Sequence, residues 1–185
     1  MIREVRADEL TLLRAIETAA GEVFRELGMD EIADDAPLAV EELAAYQGDG
    51  RAWVSVDGAD RPIAYLLMQR VDDSAHVEQI SVHPDHARRG RGKALIDVAG
   101  QWSYEQGLTG LTLTTFEDVP WNAPYYRRLG FRILQDDEIP EGLRAIRRQE
   151  TQFGLDRWPR VAMRNDLPKP RLQGSNSTLQ WPAAE

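Results

Sequence analysis

The chain has 185 residues, no cysteine and a formal net charge of −9 at pH 7. Its length suits one domain with its own hydrophobic core, and the lack of cysteine excludes disulfides, thiol catalysis and a cysteine-based zinc site. The first residues, MIREVRADELTLL, lack the apolar region of a signal peptide, and no run of about eighteen apolar residues suggests a membrane span. We therefore expect a cytoplasmic protein with no membrane partner.

The acidic residues are concentrated in the first half of the sequence. Residues 1–86 hold 7 basic and 19 acidic side chains, whereas residues 87–185 hold 15 basic and 12 acidic ones. The first half would repel phosphate groups, so nucleic acid is not expected as a partner. The same charge suits a substrate that arrives as a cation, although plain solubility explains it equally well.

Hydrophobic periodicity predicts two helices and four strands before residue 83. Apolar residues recur every three or four positions from Leu10 to Leu27, which is typical of an amphipathic helix, and Gly28 follows as its end. Pro37 is predicted to begin a second short helix that reaches Tyr46. The strands are predicted over residues 2–6, 52–56, 62–71 and 76–82.

The second half alternates helices and strands and then changes in composition. Helices are predicted over residues 92–105 and 122–129, and strands over residues 111–115, 131–134 and 158–164. After Leu167 the chain is rich in Pro, Gln, Ser, Asn and Gly, which predicts one domain of residues 1–167 and a flexible tail of residues 168–185. The order βααβββαβαβ suits an α/β (α+β) fold with a mixed sheet.

The segment HPDHARRGRGK, residues 83–93, lies where the strand over residues 76–82 gives way to a helix. Glycine lets the backbone approach a ligand closely, and a helix start offers unpaired N–H groups and a partial positive charge. These features predict a phosphate-binding loop, although a solvated basic turn that caps a helix has the same short pattern. The cations and glycines concerned are Arg88, Arg89, Gly90, Arg91, Gly92 and Lys93.

Two better-known phosphate loops do not fit this segment. A P-loop needs four residues between its first glycine and a Gly-Lys-Ser/Thr sequence, which is missing here. A Rossmann fingerprint needs a third glycine at the position that Leu95 occupies. The segment therefore indicates another class of phosphate site.

A second segment, LTLTTFEDVPWNAPYYRRLGF over residues 111–131, indicates the class of phosphate site to which the loop belongs. With the phosphate loop before it, the chain resembles the GCN5-related N-acetyltransferase (GNAT) superfamily over residues 2–165. Members carry a pyrophosphate loop and, later, a helix that ends in Tyr-x-x-Leu-Gly-Phe; residues 87–92 and 126–131 match these two motifs, except that Ala87 replaces the usual Gln or Arg. The resemblance implies a GNAT-type central sheet, mixed and mostly antiparallel, flanked by helices.

The resemblance also implies acetyl-CoA as co-substrate and suggests its contacts. Backbone groups of Ile80, Ser81 and Val82, on a strand that splays from its neighbour, would bind the pantetheine arm and polarise the thioester carbonyl. Tyr126 matches the tyrosine that acts as general acid near the sulfur of CoA. Asn122 is assigned to the cofactor too, although it lies four residues before Tyr126 and the family's asparagine lies seven before. The pyrophosphate would contact Arg88, Arg89, Gly90, Arg91, Gly92, Lys93 and Ala94.

Glu78 is the predicted general base, because several family members carry an acidic base near this position of the strand. A carboxylate has an unperturbed pKa near 4, so Glu78 needs burial to act as a base near neutrality, and a salt-bridged surface carboxylate is the alternative. His76, on the same strand face, is a candidate partner or substitute. His83 and His86 form no metal-ligand pattern with acidic residues, so no metal is expected.

The sequence therefore predicts an enzyme, an acetyl-CoA-dependent N-acetyltransferase. Direct transfer to the amine is expected, because no cysteine exists to form an acyl-enzyme. The acceptor is predicted to be a cationic amine, either a small molecule or a peptide, and a homodimer would be common for the family. Two alternatives stay open: a non-catalytic acyl-CoA-binding module that senses CoA, and a regulator that binds nucleotide phosphates.

Overall fold

The computed structural model describes residues 1–168, so the predicted tail lies, apart from Pro168, outside the described residues. The strands are β1 (Ile2–Glu4), β2 (Ala52–Val56), β3 (Pro62–Val71), β4 (Ser74–Val82), β5 (Gly110–Phe116), β6 (Arg132–Ile133) and β7 (Arg160–Asp166). They form one sheet in the order β1-β2-β3-β4-β5-β7-β6. β4 and β5 are parallel, whereas β1 and β2, β2 and β3, β5 and β7, and β6 and β7 pair antiparallel. The predicted mixed, mostly antiparallel sheet is confirmed.

The described residues form α1 (Leu10–Gly21), α2 (Asp30–Ala33), α3 (Val40–Gly48), α4 (Arg91–Glu105), α5 (Ala123–Arg128) and α6 (Glu141–Gln152). The predicted order βααβββαβαβ lacks α2, α6 and the last strand, β7, although a strand over residues 158–164 was predicted separately. The sequence of α6 is mostly charged and polar, and Leu143 is its only buried residue, so its apolar stripe is too narrow to detect by periodicity. Within residues 1–168 no helix is both long and apolar enough to cross a membrane.

Two helix boundaries differ from their predicted positions. The predicted helix over residues 10–27 is α-helical only to Gly21 and continues as a 3₁₀ helix, Glu22–Leu27, which Gly28 ends in the left-handed conformation at φ 68°. α3 begins at Val40 and not at Pro37, because the Glu42 carboxylate accepts a hydrogen bond from the Ala39 N–H at 2.9 Å and caps the helix there.

Contacts divide the chain into two compact units. Within the described residues, the first consists of Met1–Gln69 and Val77–Val98, and the second of Arg70–His76 and residues 99–168. β3, β4 and α4 each contribute residues to both units.

The core of the first unit lies between α1, α3 and the buried face of β2 and β3. Leu13 and Leu43 are fully buried there, as are Tyr65 and Leu67 on alternate positions of β3. Residues two apart on a strand point to the same face, so β3 presents Tyr65, Leu67 and then Gln69 to the same side. This places polar groups at one end of an otherwise apolar face.

The second unit is built on the seven-residue antiparallel register of β5 with β7, from Gly110 opposite Asp166 to Phe116 opposite Arg160. β4 pairs with β5 through Ser74, Ala75 and His76. α6 packs through Leu143 onto Leu134 and Ala162, and Ile139 and Ile146 flank this small cluster.

Candidate acyl-transfer site

The predicted phosphate loop has backbone geometry that suits an anion. After β4 the chain forms a 3₁₀ turn, Pro84–His86, and then passes through Arg88 at φ 58° and Gly90 at φ 73° before α4 begins at Arg91. The first helical hydrogen bond runs from the Ala94 N–H to the Gly90 carbonyl at 3.0 Å. The N–H groups of the residues between them therefore have no acceptor within the helix, and left-handed residues before a helix start form a concave anion site.

The four cationic side chains of this loop differ in how exposed they are to solvent. Arg88 and Arg89 are exposed. Lys93 forms an ion pair with Asp97 one turn later, at 2.9 Å. Arg91 is half-buried: one terminal nitrogen donates to Ser55 Oγ at 3.5 Å, and its buried Nε has no acceptor among the described residues. A buried guanidinium nitrogen without an acceptor is suited to an incoming anion.

The predicted pantetheine segment ends β4, with Ser81 buried and Ile80 and Val82 half-buried. Gln79 Nε2 donates to Ser81 Oγ at 2.9 Å, and both side chains lie close enough to the Tyr65 hydroxyl to oppose the rise of its pKa. The next residue, His83, donates its backbone N–H to the Ile63 carbonyl at 2.9 Å. The segment is therefore held firmly against β3 within the first unit.

Glu78, the predicted base, lies in a polar cluster between β3, β4 and α3. Its Oε2 accepts a hydrogen bond from Gln69 Nε2 at 2.5 Å, and the same amide nitrogen donates to the Tyr46 hydroxyl at 2.9 Å. Burial, and next the negative charge of Glu78, raise the pKa of Tyr46 to about 12. The Arg51 guanidinium lies over the Tyr46 ring at 5.1 Å. Glu78 is therefore half-buried, and the neutral Gln69 amide orients one of its carboxylate oxygens.

His76, the predicted partner or substitute of Glu78, is a buried residue of the second unit. Its Nδ1 lies 3.2 Å from Thr112 Oγ1, and 2% of its surface is exposed. Burial lowers the pKa of His76 to about 4, and the charge of Glu150 only partly opposes that shift. The imidazole is therefore neutral near pH 7. Within residues 1–168 no group of three or more His, Asp or Glu side chains is arranged to hold a metal ion.

Tyr126 and Asn122 belong to the second unit, whereas Glu78 and residues 80–94 belong to the first. Tyr126 is 7% exposed and packs edge-on against Tyr125 and Phe131 at 5.5 and 5.6 Å between ring centroids. Burial, with a smaller effect of Tyr125, raises the pKa of the Tyr126 phenol above its usual range. The phenol stays protonated and is available as a hydrogen-bond donor.

Asn122 acts in this structure through its backbone. It precedes α5, and its carbonyl accepts hydrogen bonds from the N–H groups of Tyr125 at 2.8 Å and Tyr126 at 3.0 Å. Its side chain makes no capping hydrogen bond to α5. Asn122 thus fixes where the helix that carries Tyr126 begins.

Sequence reasoning missed Gln69, Tyr46, Glu17 and Tyr65. The Tyr65 hydroxyl donates to Glu17 Oε2 at 2.5 Å, and Gln69 joins Tyr46 to Glu78 as described above. One signal was available: Tyr65 and Gln69 interrupt the apolar face of β3, and a buried tyrosine hydroxyl usually needs a partner. Their partners are 48 and 9 residues away in the sequence, which periodicity does not reveal.

The family model described as Acetyltransferase (GNAT) family matches residues 12–131. That match covers more than half of the chain, so the chain belongs to the GNAT acetyltransferase family. The resemblance seen in the two sequence motifs is confirmed, and so is the predicted enzyme class, an acyltransferase.

Solved structures share the fold at low sequence identity. The ribosomal-protein-S18-alanine N-acetyltransferase from Escherichia coli is 20% identical, with a TM-score of 0.61 over 97% of this chain and 99% of that chain. The PaiA N-acetyltransferase from Thermoplasma acidophilum, solved in complex with coenzyme A, is 13% identical, with a TM-score of 0.64 over 90% and 98%. A GNAT-family acetyltransferase from Staphylococcus aureus is 16% identical, with a TM-score of 0.65 over 91% and 99%.

Proposed function

We propose that the protein is an acetyl-CoA-dependent N-acetyltransferase that transfers the acetyl group directly to an amine. The observation that carries the proposal is the loop before α4, where left-handed Arg88 and Gly90 lead into a fifteen-residue helix. Membership of the GNAT family supports acyl-CoA as the ligand of this loop. Cytoplasmic location and a homodimer stay predictions.

The residues of the loop fit the pyrophosphate of acetyl-CoA. The N–H groups of Arg91, Gly92 and Lys93 lie at the positive end of α4, where they would donate to phosphate oxygens. The buried Nε of Arg91, which has no acceptor among the described residues, offers a further charged donor. The solved complex of the Thermoplasma acidophilum PaiA protein with coenzyme A supports the same ligand. Ile80, Ser81 and Val82 would then hold the pantetheine arm, and Ala94 and Asn122 would border the cofactor.

Glu78 is proposed as the group that removes a proton from the acceptor ammonium. Only the neutral amine has the lone pair needed to attack the thioester carbonyl carbon, so a base must act first. The half-buried position of Glu78 and its hydrogen bond from Gln69 hold one carboxylate oxygen in a fixed direction. His76 is the weaker candidate for this role, because it is buried and its Nδ1 lies against Thr112.

Tyr126 is proposed to stabilise the departing sulfur. As the carbon–sulfur bond breaks, negative charge develops on the thiolate, and the protonated phenol of Tyr126 can donate a hydrogen bond to it. Because burial raises the pKa of Tyr126, the phenol holds its proton more strongly than an ordinary thiol with a pKa near 8.5 does. Donation of a hydrogen bond is therefore expected to contribute more than complete transfer of the proton.

The test is turnover of acetyl-CoA with a panel of amines. We expect release of free CoA matched one for one by acetylated amine in the mass spectrum, with no acetylated protein intermediate. Stabilisation against heat by CoA without turnover of any amine would favour the acyl-CoA-binding module. Stabilisation by ATP but not by CoA would favour the regulator that binds nucleotide phosphates.

A further inference from the structure

Three glutamates in helical segments lose much of their contact with water, and two of them pair with arginines. Glu9 binds the Arg3 guanidinium at 2.7 and 2.9 Å, and Glu150 binds Arg160 at 2.7 Å. Glu17, on α1, forms no ion pair within 4 Å with an Arg, Lys or His nitrogen of residues 1–168. Folding therefore desolvates the Glu17 carboxylate without placing it in a close ion pair.

Neutral groups surround the Glu17 carboxylate. The hydroxyl of the fully buried Tyr65 donates to Glu17 Oε2 at 2.5 Å, and the nearby Leu38 backbone also favours the charged carboxylate. Arg14, one turn earlier on α1, attracts the carboxylate only at longer range, and Asp35 repels it. Burial, the largest of these influences, raises the pKa of Glu17.

The hydrogen-bonded pair of Glu17 and Tyr65 lies beside β4, the strand that precedes the predicted phosphate loop. The Ser81 and Gln79 side chains lie close enough to the Tyr65 hydroxyl to oppose the rise of its pKa, and Ser81 belongs to the proposed pantetheine segment. The Tyr65 hydroxyl thus has both the Glu17 carboxylate and the Ser81 side chain as neighbours. All four residues are in the first unit.

A desolvated carboxylate without a cation is costly in a folded protein, and a positive partner offsets that cost. The protein supplies the partner itself for Glu9 and Glu150 but not for Glu17. An alkylammonium group provides a positive charge and three N–H donors in a small volume. The unpaired carboxylate beside the thioester segment therefore suits an ammonium ligand.

We propose that Glu17 binds the ammonium group of the acceptor and selects cationic amines over neutral ones. Tyr65 fixes the direction of the carboxylate, and Glu78 removes the proton afterwards. This inference rests on the proposed function, because that function makes the acceptor an amine. Glu17 is therefore a specificity-determining residue, distinct in role from Glu78.

The test compares two kinds of amine in the variant Glu17→Gln. The carboxamide keeps the shape and still accepts the Tyr65 hydrogen bond, but it has no charge. n-Butylamine and spermidine are cationic near neutral pH, whereas aniline is neutral. The variant should raise KM for the cationic amines at least tenfold, and leave KM for acetyl-CoA and kcat/KM for aniline within about twofold. The matched control Glu26→Gln removes the same charge from an exposed position and should change none of these values.

The possible results separate this inference from the proposed function. Equal losses for cationic and neutral amines, or a wild-type KM for the cationic ones, would overturn the role of Glu17 and leave the N-acetyltransferase proposal standing. If the wild-type protein acetylates no amine, the proposed function fails and this inference fails with it. That outcome is recognised without any variant.

A measurement on the wild-type protein covers the case in which Glu17→Gln does not fold. The pKa of the Glu17 side chain is followed by carbon NMR with n-butylammonium chloride, and with sodium chloride at equal ionic strength as control. A bound ammonium stabilises the carboxylate, so the pKa of Glu17 should fall with n-butylammonium and not with sodium. Equal titration curves in both salts would overturn the inference.

Discussion

At the scale of single residues, burial determines which protonation state a side chain keeps. His76 is buried beside Thr112 and stays neutral, because a charged imidazole would lose its hydration without gaining a close partner. Tyr126 is almost fully buried and keeps its phenol proton for the same reason. His76 is expected to determine how the stability of the fold depends on pH, and Tyr126 is expected to affect the rate of acetyl transfer.

Because His76 is buried and neutral, we expect the folded protein to lose stability as the pH falls. Its pKa falls from 6.5 to about 4 on folding, so between these values the unfolded state binds a proton that the folded state does not. The stability is complete above pH 6.5 and decreases as the pH falls toward 4. Between pH 7 and 4.5 the wild-type protein should lose on the order of 2 to 3 kcal/mol more than His76→Asn, whose amide does not titrate.

The check is the free energy of unfolding in urea, measured for both proteins at the two pH values. Carboxylates titrate in the same range, but they contribute equally to both proteins and cancel in the difference. Parallel pH profiles for the wild type and His76→Asn would contradict the buried, neutral imidazole.

Tyr126→Phe removes only the hydroxyl that is proposed to stabilise the leaving sulfur. General acid groups typically contribute 10²–10⁴-fold, so a loss of roughly that size is expected in the single-turnover rate, with acetyl-CoA affinity almost unchanged. The adjacent Tyr125→Phe removes a hydroxyl that has no assigned role and serves as the control. A wild-type single-turnover rate in Tyr126→Phe would make the residue a core aromatic only.

At the scale of elements, the second unit depends on a contact between a turn and a helix start. Asp72, in the turn between β3 and β4, accepts hydrogen bonds from the N–H groups of Gly142 at 3.0 Å and Leu143 at 3.1 Å. These are the second and third residues of α6, whose N-cap, Pro140, provides no side-chain acceptor. A carboxylate 70 residues earlier in the chain therefore caps α6.

Gly142→Ala should weaken this cap. A Cβ at position 142 would lie 2.7 Å from Asp72 Oδ2 and 2.8 Å from Oδ1, so the carboxylate or the helix start must move. We expect the free energy of unfolding to fall by about 1 to 2 kcal/mol, which is the range for loss of a helix cap. The control is Gly58→Ala, where an added Cβ meets no atom within 4 Å. Equal stability of the two variants in urea would contradict the capping contact.

At the scale of the whole molecule, features set by neighbouring residues could be predicted from the sequence, whereas contacts between distant residues could not. The apolar spacing from Leu10 and the glycine at 28 predicted the first helix and its end, since both depend on neighbouring residues. The turn between β4 and α4 was predictable for the same reason, and its binding of phosphate stays a prediction. The Glu17–Tyr65 bond and the Asp72 cap join residues 48 and 70 positions apart, and only the folded chain brings them together. α6 was missed because Glu150, which pairs with Arg160, is a charged residue on its partly buried face.

Some acidic side chains in the first half of the sequence form ion pairs with other described residues, and others do not. Asp34 forms an ion pair with Arg25 at 2.5 Å, whereas Asp35 is exposed and acts electrostatically on Glu17. If that charge attracts a cationic acceptor, Asp35→Asn should raise KM for the amine a few-fold and weaken its dependence on salt, because exposed charges are screened over about 8 Å at physiological ionic strength. Asp34→Asn is the matched control and should change KM for the amine less. Identical KM values at low and high salt in all three proteins would make the acidic surface a solubility feature.

The loop before α4 is proposed to bind the pyrophosphate of acetyl-CoA, and calorimetric titration of acetyl-CoA into Gly92→Val tests this assignment. Valine adds a side chain at the helix start where the backbone N–H groups must approach the phosphates. Gly58→Val, in an exposed turn, is the control. With both variants folded, we expect Gly92→Val to weaken acetyl-CoA binding at least tenfold, about 1.4 kcal/mol, and Gly58→Val to leave it unchanged. Wild-type affinity in a folded Gly92→Val protein would contradict this assignment.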